Sequence, residues 1–267
     1  VMGKSYFGIF KMEFKGELQY RAKAISGIAT QFFWGILQIY LYTAFMQQDA
    51  VNGFTISQMI SYIWLGQAFF AMRYIVMGKR IGKEITNGNV CYKFIRPIDI
   101  YNQWYVEGVG QKLASTLLRF APIIIIAFLL PANLRMHGPV SFVAFLLFIV
   151  SLILGLFISN AISMFAVFLT FKTLSDKGSI GIVSSISNLF AGLIIPLPLF
   201  PQGVQNVINY LPFRFISDLP FRIYIGNVGI TDGLIYIAIG LAWLVVLMLL
   251  GRALINSALR KTVIQGG

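Results

Sequence analysis

The sequence predicts an all-α integral membrane protein with six transmembrane helices and with both termini in the cytoplasm. Three observations carry this prediction: 58% of the 267 residues are hydrophobic, only 11% are charged, and the mean hydropathy is +0.79. An ordinary globular domain carries about 25% charged residues, so a soluble core could not bury this much apolar surface. We therefore expect residues 1–267 to form one transmembrane domain, without a separate soluble domain.

The N-terminal residues 5–22 predict an amphipathic helix on the inner face of the membrane. Apolar side chains repeat at helical spacing, namely Tyr6, Phe7, Phe10, Phe14 and Leu18, while Lys11 and Lys15 take the other side. Glu13 and Glu17 project near the apolar stripe and need a partner, for which Arg21 is one candidate. A membrane anchor and a further contact with a cytoplasmic partner both stay open as roles.

Six apolar segments are each near or above the ~20 residues that a helix needs to cross a bilayer. They cover roughly residues 24–46, 57–78, 110–131, 139–171, 178–199 and 232–255. With the N-terminus inside, sixteen of the 21 Lys and Arg fall in cytoplasmic segments when Lys112 and Arg252, near the inner ends of their spans, are counted there, and only Arg135, Arg214 and Arg222 fall outside. This is the positive-inside pattern. The net charge of +12 therefore indicates topology and contact with anionic lipids, and a nucleic-acid partner is not needed.

Two arginines fall within the predicted spans. Arg73 lies about one turn from Gly78-Lys79, so we expect its side chain to snorkel to the interface. Arg119 lies deeper in span three. Two roles stay open for it: an interhelical ion pair and a place on a translocation path.

Spans four and five each carry a stripe of small residues. In span four these are Ser151, Gly155, Ser159 and Ser163, and in span five they are Gly181, Ser185, Asn188 and Gly192. Small faces let helix backbones approach closely, and the short link KTLSDK makes the two spans an antiparallel hairpin. We expect the stripes to pack on each other; the alternative is that they line a translocation path, for which Asn188 is the polar candidate.

The segment between spans five and six is broken by prolines. Pro196, Pro198 and Pro201 end the fifth helix, and the apolar sequence that follows is interrupted again by Pro212 and Pro220. It is too apolar for a solvated loop and too broken to span. We expect short, re-entrant-like helices that dip into the outer leaflet under the cover of neighbouring protein.

The sequence contains no motif for catalysis or metal binding. A phosphate loop needs a glycine five residues before a Gly-Lys pair, and neither Gly78-Lys79 nor Gly82-Lys83 has one. The single His137 and the single Cys91 exclude a two-histidine metal site and an intramolecular disulfide. No Asp or Glu lies in the middle of a predicted span, so the usual relay groups of an ion-coupled transporter are missing. We therefore expect neither an enzyme nor a bound cofactor, and any energy for transport must come from elsewhere.

The segment from Lys79 to Gln111 is cytoplasmic by the charge count. It carries apolar anchors at Ile81, Ile85, Tyr92, Phe94 and Ile95 and a turn at Asn87-Gly88. A solvated basic loop would not need those aromatic residues. A docking site for a soluble partner is therefore predicted.

The run EITNGNVCYKFIRPIDI within this segment resembles the "acidic-Ile … Gly … Tyr … Leu/Phe … Arg-Pro" signature of a branch of type-2 ABC export permeases. The resemblance extends to the amphipathic N-terminus, the six spans and the broken segment, although Phe94-Ile95 replaces the leucine common before Arg-Pro. It implies a coupling helix between spans two and three that sits in a cleft of a separately encoded ATPase. By this resemblance the coupling residues are Glu84, Asn87, Gly88, Tyr92, Arg96, Pro97 and Asp99.

The resemblance also implies an assembly of two permeases, identical or different, and two ATPase subunits that hold ATP and Mg. It implies outward transport across the cell membrane of a prokaryote, along a path lined by spans one, two and five. The substrate is not readable, although 24 Phe and 12 Tyr are compatible with a lipid-like or amphipathic molecule. An ATP-independent carrier and a non-transporting membrane scaffold remain as alternatives.

Overall fold

The computed structural model describes residues 2–46, 54–73, 75, 79–93, 95, 97–192 and 195–261, and these form helices without a strand. The helices are α1 (Met2–Leu18), α2 (Arg21–Met46), α3 (Ile56–Ala68), α4 (Phe70–Arg73), α5 (Lys79–Thr86), α6 (Ile100–Leu129), α7 (Phe142–Thr173), α8 (Asp176–Phe190), α9 (Gln202–Ile208), α10 (Asp218–Tyr224) and α11 (Ile230–Arg260). Three 3-10 turns lie between them, at Asn89–Lys93, Leu197–Leu199 and Pro212–Ile216. The predicted all-α class is confirmed.

Four of these helices are long and apolar enough to cross a membrane. The candidate spans are Ala24–Met46 within α2 and the whole of α6, α7 and α11, with 23, 30, 32 and 31 residues. They correspond to predicted spans one, three, four and six. At 1.5 Å per residue, α6, α7 and α11 are each roughly 45 Å long, which exceeds the ~30 Å hydrocarbon layer.

The predicted second and fifth spans are shorter helices in the described residues. The second is interrupted at Phe69, which separates α3 from α4, and the fifth corresponds to α8, which has 15 residues. All residues of α3 from Met59 to Ala68 are nevertheless buried. The six-span topology therefore stays a prediction.

Helix α1 packs lengthwise against the first half of α6. Glu13 Oε2 accepts a hydrogen bond from Gln111 Nε2 at 2.8 Å, and Glu17 Oε1 accepts one from Ser115 Oγ at 2.7 Å. Both contacts advance by four residues on each helix, so the two helices run parallel here. The acidic residues of the amphipathic helix thus find partners on α6.

Helix α7 lies at the centre of the bundle, and its stripe of small residues is buried throughout. The stripe packs on the broken segment: a Cβ at Gly155 would lie 2.7 Å from the carbonyl oxygens of Phe215 and Ile216. Helix α8 packs on the chain through a different face, on which Ser179, Val183 and Ser187 are buried.

The predicted contact between the two small-residue stripes is therefore not how α7 and α8 meet. Gly181 and Ser185 lie on the exposed side of α8, and no described atom lies within 4 Å of a Cβ built at Gly181. The physical reason is that the broken segment occupies the small face of α7 at Gly155, while Ser159 and Ser163 on the same face accept hydrogen bonds from Lys112 of α6. The alternative, that the stripes line a translocation path, stays a prediction.

Replacing Gly155 with alanine is expected to lower the free energy of unfolding by about 1–3 kcal/mol, since the added methyl group meets two backbone carbonyls that cannot rotate away. Gly181→Ala is the matched control, because its methyl group meets open space. Unfolding by SDS titration in mixed micelles measures both variants. Equal stability of the two would contradict the packing described for α7.

Candidate functional site

The segment predicted to dock a partner forms a compact unit, which we call the α5 element. It consists of α5, the 3-10 turn Asn89–Lys93 and the link to Asp99. Gly88 joins the two helical pieces with φ of +73°, a left-handed conformation that favours glycine. Ile81, Ile85 and Val90 are buried and anchor the element.

The α5 element is fixed to the long helices by polar contacts. Glu84 Oε2 lies 2.9 Å from Lys93 Nζ, and that ammonium lies 5.2 Å from the ring centroid of Trp104 on α6. The backbone of Gly82 approaches Asp176 so closely that a Cβ would lie 2.9 Å from the Asp176 Cβ. The element is therefore braced against α6 and the start of α8.

Asp99 has two structural partners at the end of the element. Its Oδ1 accepts from the backbone N–H of Asn102 at 2.9 Å, which caps α6. Its Oδ2 lies 2.8 Å from Arg252 on α11. Among the predicted coupling residues, Glu84 and Asp99 thus hold the element in place.

The outer tip of the α5 element is exposed and partly apolar. Tyr92 is 71% exposed and Ile95 is 82% exposed, and Asn87, Gly88 and Pro97 are exposed beside them. Cys91 lies half-buried in the same turn. Arg96 lies outside the described residues, so its predicted role stays a prediction. The tip has the apolar, aromatic character that a docking surface needs.

A buried ion cluster joins α3 to the broken segment, and sequence reasoning missed it. Asp218 is fully buried, and its Oδ2 lies 3.1 Å from Arg214 Nε and 3.7 Å from an Arg222 guanidinium nitrogen. Its Oδ1 accepts a hydrogen bond from Tyr62 Oη at 3.0 Å. The Arg214 guanidinium also stacks 4.2 Å from the ring centroid of Tyr236 on α11. The charge count placed both arginines in outer segments. The sequence could have revealed their pairing, because Arg214, Asp218 and Arg222 lie four residues apart.

A buried lysine joins three helices. Lys112 on α6 is 1% exposed, and its Nζ donates to Ser159 Oγ at 2.6 Å and to Ser163 Oγ at 3.0 Å on α7. Ser159 Oγ in turn donates to the Met72 carbonyl on α4 at 2.8 Å. Within the described part of the chain no carboxylate pairs with Lys112. The charge count grouped this lysine with the cytoplasmic segments, but its side chain is buried among helices, because α6 begins ten residues before the predicted span.

The early start of α6 also places a carboxylate inside a candidate span. Glu107 is buried and accepts from Gln103 Nε2 at 2.8 Å. Glu107 lies in the first third of α6, so the expectation that no acidic residue lies in the middle of a span stays a prediction.

Arg73 does not snorkel to the interface. Its side chain is 4% exposed and turns back along α3, where a guanidinium nitrogen donates to the Gly66 carbonyl at 2.7 Å. The carbonyls of the α3 end attract it, because the helix is interrupted at Phe69 and leaves acceptors there. The guanidinium borders a small cavity that Gly192 lines from the other side.

The two predicted path residues lie apart from this cavity. The Arg119 guanidinium lies over Gly27 of α2, where a Cβ would lie 2.9 Å from its central carbon. Its buried Nε has no hydrogen-bond partner, and it forms no ion pair with any described residue. Asn188 is half-buried on α8. Their role in a translocation path stays a prediction.

A comparison with protein-family models finds one that covers most of the chain. The model described as "ABC-2 family transporter protein" matches residues 32–266. No curated protein gives a significant match. The matched range contains the α5 element, the ion cluster and Lys112, and it confirms the resemblance carried by the Arg-Pro segment.

Proposed function

The chain belongs to the ABC-2 family of transporter proteins, and we propose that it is the membrane-spanning permease subunit of an exporter whose ATP is hydrolysed by a separate chain. The observation that carries this proposal is the exposed tip of the α5 element, which stands on a rigid base. Tyr92 and Ile95 offer anchors to a partner, while the rest of the element is tied to α6, α8 and α11.

The bracing suggests how movement of an ATPase reaches the spans. A displacement of the tip would pass through the contact of Lys93 with Trp104 to α6 and through the Gly82 contact to the start of α8. Lys112 and Ser159 then link α6 and α7 to the end of α4. Closure of the ATPase pair would therefore shift several helices together, as a rigid-body motion.

The proposed assembly has two permeases, identical or different, and two ATPase subunits in a prokaryotic cell membrane. ATP and Mg would be bound by the ATPases and not by this chain. The described residues contain no cluster of three or more metal-ligating side chains.

An ATP-independent carrier is the second candidate, and one observation favours it. Glu107 is a buried carboxylate within a candidate span, and such groups serve as ion relays in coupled carriers. Its position near the α5 element and its bond to Gln103 fit an equally simple structural role.

The docking proposal is tested by replacing the two exposed anchors together, as Tyr92→Ala/Ile95→Ala. We expect purified permease to retain about tenfold less of a co-expressed ATPase encoded beside it, because aromatic and large apolar anchors dominate such interfaces. Tyr20→Ala is the matched control, since Tyr20 is similarly exposed, at 62%, but lies outside the element. Retention measured by affinity purification decides the outcome. If the double variant keeps its ATPase, or the wild type never binds one, the carrier or scaffold hypothesis takes precedence.

A further inference from the structure

The cavity beside Arg73 lies between α3 and the candidate span in α2, and residues that follow α8 complete its lining. It measures about 20 Å³, which is room for about one oxygen-sized group. Its polar lining residues are Gln38, Tyr42, Tyr62, Gln67 and Arg73. Gln67 Nε2 donates to Gln38 Oε1 at 2.9 Å, which joins α3 to α2 along one wall.

Arg73 brings an uncompensated positive charge to this cavity. Its Nε is buried and has no hydrogen-bond partner, and its guanidinium lies 5.6 Å from the ring centroid of Phe70. None of the described carboxylates pairs with it. Asp218 is connected to the cavity through Tyr62 but is already shared by Arg214 and Arg222. A buried cation without a counter-charge is costly, so the site favours an anion.

A glycine in the lining, Gly192, lets the backbone approach the Tyr62 hydroxyl closely. Gly192 has φ of +77°, and a Cβ there would lie 2.8 Å from Tyr62 Oη. Only glycine leaves this space open.

An exposed apolar stripe on α2 runs beside the cavity. Trp34, Leu37 and Leu41 are exposed and lie three and four residues apart, and Trp34 and Leu41 are also at this spacing from the lining residue Gln38. A molecule with an anionic end in the cavity could lay an apolar part along this stripe.

We propose that the cavity is the subsite for the anionic headgroup of an amphipathic substrate. One phosphate or carboxylate oxygen enters the space, where it pairs with the positive charge of Arg73 and accepts a hydrogen bond from Gln38. The inference rests on the proposed transport function, because it assigns the substrate class of that permease. A fixed cation beside the transport path would lower the free-energy cost of carrying a charged headgroup between the leaflets.

The test measures binding to purified permease in phosphatidylcholine nanodiscs, without an ATPase. The probes are dihexanoyl phosphatidic acid, dihexanoyl phosphatidylcholine and inorganic phosphate. We expect the wild type to bind the phosphatidic acid at least about tenfold more tightly than the other two probes. Equal binding of the choline lipid would overturn the need for an anion. Equal binding of inorganic phosphate would overturn the amphipathic substrate in favour of a free anion.

Substitutions locate the site. Arg73→Gln is expected to weaken phosphatidic acid binding by at least about thirtyfold, as for other buried charge partners. Gln38→Leu, which keeps the side-chain size, is expected to weaken it about three- to tenfold and decides the matter should Arg73→Gln fail to fold. Arg135→Gln is the matched control, since Arg135 is an exposed arginine that does not line the cavity. Unchanged binding in the folded cavity variants, or an equal loss in Arg135→Gln, would overturn the proposal.

Failure here is distinguishable from failure of the proposed function. A permease that retains its ATPase but does not bind the anionic probe contradicts only the headgroup subsite. A chain that binds the probe but never retains an ATPase contradicts only the exporter.

Discussion

Asp218→Asn is expected to lower the free energy of unfolding by about 3–5 kcal/mol, because it breaks a buried ion cluster from one side. Among the described residues, the substitution removes the only negative charge that contacts Arg214, which is itself buried. The guanidinium would then stay in the protein interior without a counter-charge. Tyr62 would also lose a charged acceptor on the broken segment.

The measurement for Asp218 is SDS titration in mixed micelles. Asp232→Asn is the control, since Asp232 is exposed in the first turn of α11 and should change stability by less than about 0.5 kcal/mol. The double variant Asp218→Asn/Arg214→Met should recover part of the loss, because it removes both charges of the pair. A single variant as stable as the wild type would contradict the cluster.

Lys112→Met is expected to act in the opposite direction and to raise the free energy of unfolding by about 1–4 kcal/mol. The buried ammonium is held by two hydroxyl groups, without a carboxylate among the described residues, so its dehydration is only partly offset. The serines keep other acceptors in the variant, since Ser159 donates to the Met72 carbonyl and Ser163 donates to the Ser159 carbonyl at 2.9 Å. Methionine fills a similar volume.

Lys177→Met provides the comparison for Lys112, because Lys177 is exposed and should be nearly neutral. If Lys112→Met destabilises the protein, a counter-charge must neutralise the ammonium in the folded state. If the variant is more stable but no longer couples ATP hydrolysis to transport, the lysine has been kept for function at the expense of stability.

Long apolar runs made the main spans predictable. The helices α2, α6, α7 and α11 follow directly from hydropathy, because length and composition alone decide whether a helix can cross a bilayer. The interruption at Phe69 could not be predicted in this way, since no proline or glycine marks it. The early start of α6 was missed because polar residues such as Asn102, Gln103 and Glu107 interrupt its first turns and lower their hydropathy, although most residues there are buried.

Local sequence also predicted part of the candidate site. The Asn87-Gly88 turn and the exposed Tyr92 are products of neighbouring residues, and both are found in the α5 element. The contacts of Lys112 and Asp218 are different, because their partners on other elements lie 47 and 156 residues away in the sequence. A charge count assigns such residues by their position along the chain and cannot see a partner contributed by another helix.

The placement of Cys91 has a practical consequence for following the proposed assembly in time. It is the only cysteine in the chain, so a thiol-reactive fluorophore has one point of attachment without any prior engineering. The structure puts that sulfur in the turn next to Tyr92, at the tip of the α5 element. A dye there would sense a partner as it arrives, and its emission would record each docking and release during an ATP cycle.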